Sequence, residues 1–359
     1  MPLTPPHRRI FYCHGFDRRG QAFFRRWQRR ELRKYARHHN IPAVEIARQT
    51  APDSWRIGET EFVFLDWSDI AGARLSAAWA HAPAWHLWLT ALRHGFFGKI
   101  RRRDRWLGAM LAWGFAPQML ATIALVALVA GIGGIAALCA GAAVALTLTG
   151  RRNGIHYIQQ IAWAARRLAM RDAPALEARI DTMTQRVLQN LSGAETSTET
   201  VIVGHSIGAA IALRLVDRCR TTCTDQSLTF ITVGQSIPLV SLQSEAGYLR
   251  DALSRRHADA NTSWIDISAG RDVLGFDGLD PSGGAARCHS AHLRRGFSRQ
   301  TLRQLRWRGF DTHFQYFRAN ERTGVAWDWM AMLLDRQPLA NRFRDEKPMP
   351  GTGARRFPF

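Results

Sequence analysis

Lysine is almost missing from this 359-residue chain. Lys34, Lys99 and Lys347 are the only three, so nearly all of the 49 basic residues are arginine. Acidic residues number 29, which leaves a formal net charge of +20. That balance admits two readings: an arginine-rich coding bias, or attraction to an anionic surface of lipid headgroups or nucleic acid. No compact nucleic-acid-binding motif is present, so no specific nucleic-acid partner is expected and anionic lipid is the better match. Cysteine is scarce as well. Cys13, Cys139, Cys219, Cys223 and Cys288 are odd in number and match no zinc spacing. They read as reduced thiols in a cytoplasmic setting, with no metal site. The opening MPLTPPHRRIFYCHGF holds no apolar stretch of signal-peptide length. Internal repeats are absent.

The most informative absence is local. From Leu107 to Gly150 there is no charged residue. The run is about twice the ~20 residues that one membrane span needs. Gly131-Ile132-Gly133-Gly134 divides it, so it reads as a transmembrane hairpin of two helices, about 107–129 and 132–149, with Pro117 as a kink in the first. The second helix is short and rich in Ala and Gly, which leaves room for a re-entrant hairpin; a buried soluble hairpin is the third reading. Arg101, Arg102, Arg103 and Arg105 precede the run, and Arg151 and Arg152 follow it. Under the positive-inside rule both ends are cytoplasmic.

What is present is an alternation of strands and helices. RRIFYCH (8–14) reads as a buried strand and 19–38 as a helix, with Arg26, Arg29, Arg30, Arg33 and Arg37 on one side and Phe24, Trp27, Leu32 and Tyr35 on the other. Strands are expected at 61–65, 200–204, 228–233 and 264–267. Helices are expected at 70–100, 153–171, 175–191, 207–219 and 244–257. The alternation implies an α/β fold with a mainly parallel sheet and helices on both faces. The expected organisation is 1–100 and 153–338 as two parts of one domain, 101–152 as an inserted hairpin, and 339–359 as a disordered tail.

One pentapeptide carries chemistry. Gly204-His205-Ser206-Ile207-Gly208 fits Gly-x-Ser-x-Gly, between the β-branched Val201-Ile202-Val203 and the helix-forming Ala209-Ala210-Ile211-Ala212. On a sharp strand-to-helix turn the serine takes a strained conformation and the glycines avoid clashes across the turn. A plain strand–turn–helix junction is the bland alternative. A serine hydroxyl needs a base, and the base needs an orienting acid. In the order Ser, acid, His, Asp272 follows the 264–267 strand; Asp266 lies within that strand and ranks lower, with Asp277 and Asp280 outside candidates. His313, after a short possible strand and before the last helix, is the expected base. His289 and His292 lie in a loop-like stretch and read as ordinary polar residues. For an oxyanion hole the amide of Ile207 is one donor and that of Phe16, after His14-Gly15, the other, with Asp17 next.

On His14-Gly15, Gly204-His205-Ser206-Ile207-Gly208, Asp272 and His313, in order over residues 8–335, the sequence resembles the α/β-hydrolase superfamily. It looks like a bacterial membrane-anchored, lipase-like member. The resemblance implies Ser206 as nucleophile, Asp272 as orienting acid, His313 as base, and no cofactor. The expected activity is hydrolysis of an ester or thioester, a lipid-like one included, on the cytoplasmic side of an inner membrane. An acyltransferase using the same residues and a non-catalytic interaction protein on the same fold are the alternatives. Acyl chain, leaving group and oligomeric state stay open.

Overall fold

The computed structural model of the chain describes residues 7–48, 51–72, 77–93, 95, 98, 105–150, 152, 154–193, 198–223, 226–256, 259–270, 272, 274–276, 279–305 and 313–343. Arg101 to Arg103, Arg151, Asp277 and the possible strand before His313 lie outside them. The chain forms two compact units: Met1–Gly72, Ala173–Ile237 and Gly247–Phe359 make the first, and Ala73–Asp172 with Pro238–Ala246 the second.

The first unit is built on one eight-stranded sheet. In chain order the strands are β1 (Arg8–Cys13), β2 (Ile46–Arg48), β3 (Ser54–Ile57), β4 (Thr60–Leu65), β5 (Glu199–His205), β6 (Leu228–Val233), β7 (Thr262–Ser268) and β8 (Arg287–Ser290). Their spatial order is β2-β3-β4-β1-β5-β6-β7-β8. Every pairing from β4 through β8 is parallel; only β2–β3 and β3–β4 are antiparallel. The fold class is therefore α/β with a mostly parallel sheet. Central strands such as β6, LTFITV, are buried at every position, as expected where both faces are covered. After β1 the chain goes to β4 on one side, while β5 takes the other. That reversal opens a crevice at the carboxyl ends of β1 and β5, the usual ligand position in such sheets.

Aromatic rings fill one core cluster. Tyr12 stacks on Phe24 at 4.7 Å between centroids, and Trp55 on Phe62 at 4.8 Å. Helix α1 (Gly20–His39) buries Phe24, Trp27 and Leu32 and leaves Arg26, Arg30, Arg33 and Arg37 exposed. The wholly buried Arg8 binds Glu199 at 2.6 Å and the carbonyls of Met332 and Asp335 at 2.5 and 3.0 Å. It thereby fastens β1 to β5 and to the C-terminal segment.

Three expectations need correction. Residues 287–290 are a strand, not a loop: β8 pairs with β7 and buries His289. The tail is ordered at its start. Leu339–Arg342 is helical, Leu339 and Phe343 are buried, and the Leu339 amide donates to Glu199 at 2.8 Å. Residues 344–359 lie outside the described set. The expected helix 107–129 is broken into two.

The second unit is helical: α2 (Ala77–Arg93), α3 (Arg105–Gly114), α4 (Ala116–Val129), α5 (Gly133–Thr149), α6 (Ile155–Met170) and the segment Pro238–Ala246. Pro117 sits in the first turn of α4, and α3 and α4 meet at a 67° bend. Proline has no N–H to extend α3 and clashes with the preceding turn, so the helix restarts there. Gly114 lies so close to Ile158 that an added Cβ would come within 2.3 Å of its Cγ2. No single helix among the described residues is long and apolar enough to cross a membrane, although the bent α3–α4 pair passes that test jointly. The antiparallel pair α4 and α5 buries alanines, Ala124, Ala127, Ala136 and Ala143, and exposes Leu125, Val129, Leu138 and Leu148.

Two glycines test this packing. A Cβ on Gly208 would sit 2.2 Å from the His14 carbonyl oxygen, whereas one on Gly134 meets nothing within 4 Å. Gly208→Ala is expected to destabilise by about 3 kcal/mol. Gly134→Ala should be neutral or stabilising by up to about 1 kcal/mol. Thermal unfolding of the two variants, followed by circular dichroism, checks the contrast.

Candidate active site

The site begins where β5 ends. Ser206 has φ +55°, one of four positive-φ residues other than glycine among the described residues. Such a conformation costs about 1–3 kcal/mol and persists only where its surroundings impose it. Here they do. The Ser206 amide donates to the Val233 carbonyl at 3.0 Å, and the Ser206 carbonyl accepts from Ser236 and Ala209 at 3.1 and 3.0 Å. Gly204 and Gly208 let the next helix, α7 (Gly208–Thr222), press on the sheet: a Cβ on Gly204 would lie 2.6 Å from Ala209 Cα. Gly15 faces the serine, with a would-be Cβ 2.9 Å from Ser206 Cβ.

The acid and base come from two later loops. Asp272 follows β7, and both of its carboxylate oxygens lie against His313 Nδ1, at 2.8 and 2.7 Å. The Leu274 amide donates to Asp272 Oδ1 at 3.0 Å, and the Tyr316 hydroxyl to Oδ2 at 2.9 Å. Asp272 and His313 are both buried, and His313 Nε2 has no hydrogen-bond partner. The Asp272–His313 pair is therefore formed, while a hydrogen bond from Ser206 to Nε2 is not. Gly234 joins the two halves. Its φ is +49°, and a Cβ there would meet Asp272 Oδ2 and Tyr316 at 2.8 Å and His313 Cε1 at 3.3 Å. It directly follows Val233, whose carbonyl holds Ser206.

The β1 loop supplies the other wall. The Trp67 amide lies 3.2 Å from His14 Nε2, and His14 Nδ1 donates to the Gly15 carbonyl at 2.7 Å. The Asp17 amide donates to the same carbonyl at 2.7 Å. Asp17 is thus spent as an oxyanion donor, which corrects its place as second candidate. In a planar trans peptide the Phe16 N–H points opposite to the Gly15 carbonyl, away from those donors. The Ile207 amide opens a helix and has no intrahelical acceptor. Asp66 stands behind the loop. Burial raises its pKa, but hydrogen bonds from His14 and Ser68 outweigh this and hold it well below the usual carboxylate range.

The other candidates fall elsewhere. Asp266 is buried inside β7 and accepts from Thr232 Oγ1 at 2.5 Å. Asp280 is turned onto Ser282, whose amide and hydroxyl donate at 2.8 and 2.6 Å. His289 packs beside Phe343, and His292 is exposed. Among the described residues no cluster of three or more His, Cys, Asp or Glu could hold a metal, and all five cysteines are free.

Two residues of the site were not singled out from sequence. Tyr316 lies three residues past His313, a helical-turn spacing that could have drawn attention to it. His205 was read only as the variable position of the pentapeptide. Its ring stacks on His313 at 4.6 Å between centroids, and neither nitrogen has a well-formed hydrogen bond. Burial, reinforced by His313, pushes its pKa well below the ordinary histidine value, while the His313 backbone acts the other way.

Comparison with protein-family models, with curated proteins and with solved structures finds no match. The chemistry must be argued from this geometry.

Two outcomes follow from it. Tyr316→Phe removes one of the donors on Asp272 and should lower any His313-dependent activity by about tenfold without unfolding the protein; steady-state rates and a thermal melt separate the two effects. For His205 the folded value lies below the unfolded value of about 6.5. As pH falls through that value the unfolded chain takes up a proton that the folded chain refuses. Stability is therefore full above it and declines below it, by up to about 1.4 kcal/mol per pH unit for one such group. His289, lowered by burial and then by Arg287, adds to the slope. Urea titrations over a pH series should show a shallower decline in His205→Gln; an unchanged slope would rule out a neutral, buried His205.

Proposed function

We propose that the chain is a serine hydrolase of the α/β-hydrolase type that cleaves a carboxylic ester or thioester through an acyl-serine intermediate. The carrying observation is the buried Asp272–His313 pair, whose Nε2 has no hydrogen-bond partner, together with a strained Ser206 held by the Val233 carbonyl next to Gly234. In this reading His313 Nε2 takes the proton from Ser206 Oγ as the hydroxyl attacks the acyl carbon. Asp272 accepts from Nδ1–H, fixes the tautomer and stabilises the imidazolium. The tetrahedral oxyanion takes hydrogen bonds from the Ile207 and Phe16 amides, favoured by the positive end of α7. His313 then returns its proton to the leaving group, and water activated by the same nitrogen releases the acid. Excluding that water would turn the same residues to acyl transfer.

The unpartnered Nε2 also fits a rival reading, a non-catalytic protein that keeps the fold as an interaction platform. Resting hydrolase sites often hold this bond long until substrate binds, and the Asp272 carboxylate that orients His313 favours the hydrolase. We further infer that the α4–α5 hairpin inserts in a bilayer, at the cytoplasmic face of an inner membrane. Its outward face is apolar along its length, and its hydroxyls bond within their own helices: Thr122 to Gln118, Thr147 to Ala143 and Thr149 to Ala145, at 2.8, 2.9 and 2.8 Å. Hairpin and basic surface together favour a lipid-like substrate.

Labelling of membranes with a fluorophosphonate serine probe tests the chemistry. Wild type should label, and Ser206→Ala and His313→Ala should not. Hydrolysis of a short acyl ester should fall by about 10⁴-fold or more in both. A folded wild type that neither labels nor hydrolyses would favour the platform.

A further inference from the structure

An arginine opens α1, and nothing in the helix itself calls for it. Arg19 is the N-cap residue, its side chain makes no capping bond, and the first turn holds no acidic residue. Ser, Thr, Asp and Asn are the residues that satisfy a helix start, and a cation there opposes the helix dipole. The side chain is engaged elsewhere. Its guanidinium forks onto Asp17, with Nε 2.8 Å from Oδ1 and Nη2 2.7 Å from Oδ2, while the Arg19 amide donates to Oδ1 at 3.0 Å. Its Cζ lies 4.0 Å from the ring centre of Phe23 and 5.5 Å from that of Phe314, both within cation–π reach. An ion pair as exposed as this one, 41% at the arginine side chain, adds little to stability. Its consequence is geometric.

Asp17 and Phe314 are each one link from the site. The Asp17 amide holds the Gly15 carbonyl at 2.7 Å, and that carbonyl shares a rigid peptide plane with the Phe16 N–H, the second oxyanion donor of the proposed hydrolase. Phe314 follows His313 in the chain and meets His205 edge-on, at 5.4 Å between centroids; the His205 ring is in turn stacked on His313. We propose that Arg19 is a positioning residue that clamps the loop carrying the oxyanion donor to the loop carrying the base, through Asp17 on one side and Phe314 on the other. Lysine would keep the charge but lose both the two-pronged contact and the flat face. The role rests on the hydrolase reading. It gives Arg19 and Asp17 no contact with substrate, and it requires that they act as one unit.

The test uses the full chain with Arg19→Ala, Arg19→Lys and Asp17→Asn, and with Arg19→Ala and Asp17→Asn combined. Arg19→Ala should lower kcat on a short acyl ester about tenfold, with KM within about twofold of wild type, because a donor lost outright costs about 10²–10³-fold and a displaced one part of that. Asp17→Asn should match it, and Arg19→Lys should fall nearly as far. The double variant should be no slower than either single one, since side chains in one contact network are not additive. A short-chain trifluoromethyl ketone, which an activated serine attacks to form a tetrahedral hemiketal, reads the oxyanion directly. NMR titration of its labelled carbonyl carbon should show the hemiketal pKa raised by about 1 in Arg19→Ala, the same tenfold expressed as proton affinity. Circular dichroism melts check that each variant is folded. An unchanged hemiketal pKa in folded Arg19→Ala, or losses that multiply to about a hundredfold in the double variant, would overturn the clamp and leave the hydrolase standing. Full activity in Arg19→Lys would show that charge alone suffices, and would overturn it too. A folded wild type that neither turns over the ester nor forms the adduct would overturn the hydrolase, and this role with it.

Discussion

The candidate site depends on one steric constraint: α7 lies so close to the end of β1 that no side chain fits between them. A Cβ on Gly208 would fall 2.2 Å from the His14 carbonyl oxygen and 2.7 Å from that of Cys13. Those atoms are backbone in a parallel pairing with β5, so they cannot yield without breaking the sheet. The chain leaving β5 must therefore reverse within three residues, and Ser206 takes the left-handed conformation because no other reaches the start of the helix. Strain at the serine is thus the local result of packing a helix against two strands. Whatever chemistry follows inherits a serine Cβ fixed by the backbone, with χ1 alone left to aim the hydroxyl.

The same economy of space acts at the second glycine. Gly234 sits where β6 gives way to its loop, and any side chain there would displace Asp272, His313 or Tyr316. The Asp272 carboxylate gathers three donors from different parts of the chain: a backbone amide two residues on, an imidazole and a phenol. Together they fix its orientation beneath His313. His205 closes the other side of the imidazole as a neutral ring, and a neutral stack adds no competing charge. The glycines make room, the carboxylate orients and the stacked ring confines.

Most of this frame was legible in the sequence, for identifiable reasons. Strands β1, β4, β5, β6 and β7 are short apolar runs with sharp ends, and the helices between them are strongly patterned. Strands β2, β3 and β8 escaped notice because they are edge or near-edge strands with polar residues, such as Arg287 and Ser290 in β8, whose pairing is decided by neighbours distant in sequence. The ordered start of the tail rests on Leu339 and Phe343, two apolar residues that composition averages away among polar ones. Within the site, Ser206 was marked by its glycines and Asp272 by its place after a strand. Tyr316 and His205 were not marked by any local pattern, because each is defined by what it touches. The break at Phe115 was half visible: Pro117 announced a kink, but its size follows from Gly114 closing on Ile158, a tertiary contact.

The two units distribute apolar side chains in opposite ways. The sheet unit puts its large side chains inside, rings such as Tyr12, Phe62 and Trp329, and turns Arg26, Arg30, Arg33 and Arg37 of α1 outward. The hairpin does the reverse, with alanines at the seam between helices and leucines and valines outside: Val129 is 82% exposed, Leu148 80% and Leu138 77%. In water that face would cost roughly 25 cal/mol for each Å² of apolar surface left uncovered, with nothing gained in return. Small residues at a helix seam are the arrangement expected where the surroundings are themselves apolar and close packing, not the hydrophobic effect, holds helices together. Fourteen and seventeen residues rise about 21 and 26 Å, short of the ~30 Å hydrocarbon core. The turn between them carries no polar side chain to meet water on a far side, and the Ala130, Gly131 and Ile132 amides are already bonded to carbonyls of α4. The turn of the hairpin thus satisfies its own backbone within α4.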